Sequence, residues 1–72
     1  MSIDQLRSTV ARMEAGMRAD PAAAALMRVY ELVAVRFDAD LEAERDALLS
    51  RGAALMLVAE LLEISKRSAA EN

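Results

Sequence analysis

Residues 53–64 read Ala53-Ala54-Leu55-Met56-Leu57-Val58-Ala59-Glu60-Leu61-Leu62-Glu63-Ile64. Only Glu60 and Glu63 interrupt this apolar run. Leu, Ala, Met and Glu favour helix, and only Val58 and Ile64 are β-branched. Twelve residues are too many for an ordinary buried strand and suit a helix. At about 100° per residue, Met56, Glu60, Glu63 and Arg67 share one narrow face. The rest of the circumference carries two adjacent seams. One is Leu55, Val58, Leu62; the other is Ala54, Leu57, Leu61, Ile64. A helix on the surface of a monomer needs a single such stripe. Two seams imply packing on two sides, with the chain's own helices on one and a second copy on the other. The competing reading is a central helix covered on both sides by its own chain.

Upstream, Ser2 and Gln5 form a capping-box pattern, with Asp4 in the first turn. Ile3, Leu6, Val10, Met13 and Met17 then recur at spacings of four and three, predicting a helix over 3–18. Its opposite face, with Arg7, Ser8, Arg12 and Glu14, reads as solvated. Gly16 weakens or caps the last turn. Asp20-Pro21 marks a boundary, since Asp is a favoured N-cap and Pro suits the first helical position. The short connection makes the first two helices antiparallel neighbours.

From Ala22 a stripe runs through Leu26, Tyr30, Val33, Phe37, Leu41 and Leu48, flanked by Met27 and Ala34. No Gly or Pro lies between Ala22 and Arg51, which predicts one helix over 21–51, ~45 Å long. Asp can cap a new helix, so a local break near Asp38–Asp40 is the alternative. Leu32 and Val35 fall on the charged side of this helix, between Arg28, Glu31 and Arg36, and favour a further contact. Ser50-Arg51-Gly52 reads as a turn leading into a third helix over 53–68, because Gly commonly ends helices. Leu41, Leu48, Leu55 and Leu62 nevertheless repeat at sevens across Gly52, as they would in one continuous helix. Lys66 and Arg67 suit the C-terminal end of the third helix, and residues 69–72 are expected to fray.

The expected fold is therefore all-α, a single domain over 1–72. Short, long and medium helices form antiparallel hairpins, assembled as a dimeric or higher bundle. A chain of 72 residues buries only about 60% of its unfolded surface. It has no Cys and no His, so neither a disulfide nor a common zinc set staples it. Association is the remaining usual source of stability. Hydrophobic residues make up 56% and aromatic residues 3%, a helical composition and not a strand-forming one.

The same residue inventory bounds function. Without His or Cys the commonest general base and thiol nucleophile are missing, and the chain has no glycine-rich phosphate loop. Asp38, Asp40, Glu42, Glu44 and Asp46 suggest a cation site, but no glycine turn or closing Glu follows, and on a helix they scatter. No catalytic, cofactor or metal residues are assigned. The net charge is −3, and cations are interleaved with acids at Asp4/Arg7, Glu14/Arg18, Arg36/Asp40 and Glu63/Arg67. This is no footprint for nucleic acid. The apolar run falls short of the ~20 residues that span a bilayer, and the N-terminus has no secretory pattern, so the cytoplasm is the expected location.

The expected function is a non-enzymatic, homodimeric interaction module that binds or sequesters another protein. Ala54, Leu57, Leu61, Ile64, Leu32 and Val35 are its candidate contact residues. In size and helical layout alone the chain is similar to short helical-hairpin chaperones of type III secretion. That resemblance implies the alternative, a small chaperone or inhibitor that folds stably only with its target.

Overall fold

The computed structural model describes residues 2–71 as three α-helices: α1 Ile3–Arg18, α2 Ala24–Asp40 and α3 Glu44–Glu71. The capping box closes as read. The Gln5 amide donates to Ser2 Oγ at 3.2 Å, and the Ser2 amide donates to Gln5 Oε1 at 3.0 Å. α1 ends at Arg18. Asp20 then accepts from the Ala22 amide at 3.0 Å, and Pro21 opens a single 3-10 turn, Pro21–Ala23. The expected helix over 21–51 is thus α-helical only from Ala24. Its proline and Asp cap set the direction of the chain before the wider α-turns begin.

The larger correction lies downstream. The helix expected over 21–51 ends at Asp40, and the chain reverses at residues 41–43. Leu41 is extended, with φ −105° and ψ 112°, and its amide closes α2 on the Phe37 carbonyl at 2.9 Å. The turn expected at Gly52 is absent: Gly52 lies inside α3 without a positive φ. Charge favours this choice. A continuous helix would set Asp38 against Glu42, Asp40 against Glu44 and Glu42 against Asp46, all like-charged i,i+4 pairs. Breaking at 41–43 removes those contacts and places Glu44 and Asp46 in the first turn of α3, where the helix dipole favours acids. The order of lengths changes accordingly. The helices have 16, 17 and 28 residues, so the third is the long one. It includes 69–71, where the sequence predicts fraying; Asn72 lies outside the described residues.

α3 is the spine. Leu48, Leu55 and Leu62, the heptad series that crosses Gly52, are all buried, together with Val58. α1 supplies Leu6 and Val10, and α2 supplies Met27, Tyr30 and Ala34 beside Ala23 of the turn. Burying a side chain of Leu size contributes about 1.5–3 kcal/mol, so this line of leucines carries much of the core. Arg7 of α1 is ion-paired with Glu44, and Gly52 sits beside Val10, so α1 and α3 run parallel. Asp38 pairs with Arg51, and Asp20 with Lys66, so α2 runs antiparallel to α3. The stripe expected on α2 is rotated. Met27 and Ala34 face the core, whereas Val33 and Phe37 stand at its edge, partly open to solvent. Of the four helix-surface pairs, Asp4–Arg7 and Glu14–Arg18 close, at 3.3 and 3.2 Å. Arg18 also reaches Glu31 on α2 at 3.3 Å.

Two stability measurements follow. An added Cβ at Gly52 would meet Val10 Cγ2 at 3.9 Å, an ordinary contact. Gly52→Ala should therefore stabilise the fold by about 0.5–1 kcal/mol and raise Tm by several degrees. A turn glycine would give the opposite sign, and thermal melts decide between them. The second concerns Lys66 Nζ, 2.9 Å from Asp20 Oδ2. Hydrogen bonds from Lys66 and then the Ala22 amide hold the Asp20 carboxyl below its ordinary 3.8. The Asp20 hydrogen bond holds Lys66 above 10.5. The pair's contribution is complete between those two values. It is lost as pH falls through the lowered carboxyl value or rises through the raised ammonium value. Lys66→Met should lower Tm modestly at neutral pH, and its difference from the parent should shrink as pH falls below the ordinary carboxyl value of 3.8, as melts across a pH series will test.

Candidate interaction surface

The two seams of α3 part company in the folded chain. Leu55, Val58 and Leu62 are buried, whereas Leu57, Leu61 and Ile64 are 61%, 44% and 55% exposed. Ala54 lies between them, partly buried against the core. The split is angular. The first seam points between α1 and α2, and the second is turned far enough round that neither helix reaches it.

Which neighbour borders the open seam is settled by the contacts of α3. Ala59 and Leu55 border a crevice with Met13, Gly16 and Met17 of α1, and Gly52 faces Val10. The Ala54–Leu61 side is the opposite edge, next to α2. On α2, Glu31 pairs with Arg18 and, with Val35, borders a crevice shared with Glu14 of α1. Its other edge, carrying Leu26, Val29, Val33 and Phe37, therefore adjoins α3. The antiparallel register set by Asp38–Arg51 and Asp20–Lys66 brings Val33 level with Ala54, and Leu26 level with Leu61. The result is one apolar face spanning both helices. Val29, Val33 and Phe37 are exposed on it, and it carries charge only at its margins, with Arg36 and Asp40 on α2 and Glu60 and Arg67 on α3.

The six expected contact residues are thus not all brought together. Ala54, Leu57, Leu61 and Ile64 share the α2–α3 face. Leu32 and Val35 are strongly exposed, at 73% and 69%, but they point away from the core beside Arg28 and Glu31. Val35 lies toward α1. The stripe expected on α2 counts Val33 and Phe37 as core residues, and Val29 lies on none of the expected stripes. The signal was available: Met27, Tyr30 and Ala34 also recur at three and four, with Ala23 in line before them.

Exposed area sets the scale. The chain exposes 5262 Å², whereas a monomeric protein of 7.8 kDa is expected to expose about 4,400 Å². The difference, roughly 900 Å², has the size of one partner's share in a standard protein–protein interface, about 800 Å².

Polar features are few. Near the Glu14–Arg18–Glu31 cluster, the buried Tyr30 hydroxyl and Arg51 Nε have no protein hydrogen-bond partner. Burial, and then Glu14, push the Tyr30 hydroxyl above its ordinary 10.0. At the other end of the bundle, Arg7, Asp38, Glu42, Glu44 and Arg51 line an open crevice, where Glu44 raises the Arg7 pKa through a hydrogen bond. Among the described residues no three acidic side chains gather as metal ligands, and no helix is long and apolar enough to cross a membrane. In comparisons with family models, curated proteins and solved structures, nothing matches this chain.

The unpartnered hydroxyl makes a sharp prediction. Removing a buried polar group that has no partner relieves its desolvation cost. Tyr30→Phe should leave stability unchanged or raise it by up to about 1 kcal/mol, as urea denaturation will measure. A loss of 2 kcal/mol or more would show that the hydroxyl is engaged.

Proposed function

We propose that this chain is a non-enzymatic helical interaction module of the cytoplasm. It associates with itself and binds or sequesters another protein through apolar helix faces, as a regulator or adaptor. The observation that carries this reading is the open seam of the spine helix. Leu57, Leu61 and Ile64 stand exposed in line, although hydrophobic burial is the main source of stability for a chain this small. The residue inventory agrees, because the His and Cys side chains on which much catalysis rests are not in the sequence. Leu32 and Val35, on a separate face, offer a second apolar contact for a different protein.

The same surplus of exposed area supports a second reading, a secretion-type chaperone or inhibitor stable only with its target. The two differ in what the pure protein does. A self-associating module melts sharply, and its Tm rises with protein concentration, because association stabilises the folded state by mass action. A target-dependent chaperone melts low and binds dyes that report exposed apolar surface.

Light scattering at micromolar concentration tests the module reading. The parent should show a mass at least twice 7.8 kDa. Leu61→Glu should lower that mass toward one chain while helicity by circular dichroism stays close to the parent. A parent that is a monomer with a sharp, concentration-independent transition would remove the self-association claim.

A further inference from the structure

Resting on the self-association reading, we propose that the surface joining two copies is the combined α2–α3 face, with Val29, Val33 and Phe37 as full members. α3 alone does not form it, and Val35 does not belong to it. The occupant is a second copy of this chain. Three observations lead there.

The first is continuity. α3's open seam and the exposed edge of α2 lie side by side in antiparallel register, with no charged residue between Val29 or Val33 and Leu57 or Leu61. A partner docking on α3 alone would leave Val29 and Val33 in water at its margin.

The second is area. The chain exposes roughly 900 Å² more than a monomer of its mass, against its total of 5262 Å². About 800 Å² per partner is what a stable interface removes. One exposed stripe on a single helix is too narrow to supply that; two adjacent helices are wide enough.

The third is charge. Interfaces are depleted of charge at their centre and polar at the rim. This face has that layout, and its rim carries both signs on each helix: Arg36 and Asp40 on α2, Glu60 and Arg67 on α3. A surface that meets its own copy across a twofold axis must be self-complementary. A mixed rim satisfies that condition, whereas a rim of one sign would repel itself. Two copies joined this way pack the α2–α3 pair of each chain against that of the other as a four-helix bundle. α1 stays on the outside of each half.

Charge insertion and cross-linking together test it. Val33→Asp and Leu57→Asp should each weaken association by roughly thirtyfold or more, as substitutions at the centre of an interface do. Val35→Asp, more exposed than either but off the face, should associate as the parent does. The chain has no Cys, so single substitutions report position independently of any loss of folding. Val29→Cys and Leu57→Cys should give covalent dimers with a short bis-maleimide at micromolar protein, and Val35→Cys should not. If the parent associates but Val33→Asp leaves the mass unchanged and Val35→Cys cross-links as efficiently as Val29→Cys, this face is the wrong one and self-association stands. If Leu57→Asp dissociates the dimer while Val33→Asp and Val29→Cys have no effect, α3 acts alone and the α2 contribution is overturned. If the parent is a monomer, the self-association reading fails and the dimer face fails with it.

Discussion

Leu48, Leu55 and Leu62, seven residues apart on α3, form the line against which the other two helices close. The helix carrying them must run unbroken through Gly52, and it must begin late enough for Leu48 to turn back beside α2. Both conditions are met by placing the reversal at residues 41–43. Had the chain turned at Gly52, Leu48 would belong to α2 and the line would be split between two helices. Electrostatics favours the reversal there: acids four residues apart repel each other in one helix, and the same acids are favoured at the start of a new one. The core and the turn are thus two consequences of one arrangement of side chains.

The open face follows from that geometry. A helix that packs against two neighbours in a three-helix bundle uses roughly half its circumference. α3 carries apolar residues over more than half, so one seam remains outside. α2 contributes to the same side because its core contacts are made by Met27, Tyr30 and Ala34, two of them set toward one edge of its apolar arc. That rotation moves Val33 and Phe37 outward onto the edge shared with α3. Much of the exposed apolar surface therefore lies on the α2–α3 side, while Leu32, Val35, Leu49 and Met56 are exposed elsewhere. A contiguous apolar face with charges only at its margin is what separates an interaction surface from the scattered exposed aliphatics of any protein.

Ion pairs hold the ends of the bundle more than its middle. Arg7–Glu44 and Asp38–Arg51 lie where the chain reverses, and Asp20–Lys66 ties the first connection to the later part of α3. All are at least partly open to water, where such pairs contribute little individually. Their value is in orientation: they fix which residue of one helix stands level with which residue of the next. That register sets Val33 roughly level with Ala54.

Local chemistry was legible in the sequence. The capping box at Ser2 and Gln5, the end of α1 at Arg18, the stop at Asp20-Pro21, the all-helical class and the two seams of α3 all follow from residues within a few positions of one another. Spacing also identified Leu57, Leu61 and Ile64 as a second seam, because the angle between side chains on one helix is fixed by its pitch. Three things were decided by tertiary structure. Gly52 stays helical because flanking leucines bury on both sides of it, which outweighs a preference of about 1 kcal/mol. The break falls at 41–43, within the acidic stretch, because only that position brings Leu48, Leu55 and Leu62 together over α1 and α2. The face of α2 that turns inward depends on where α1 and α3 lie, and no spacing within α2 contains that information.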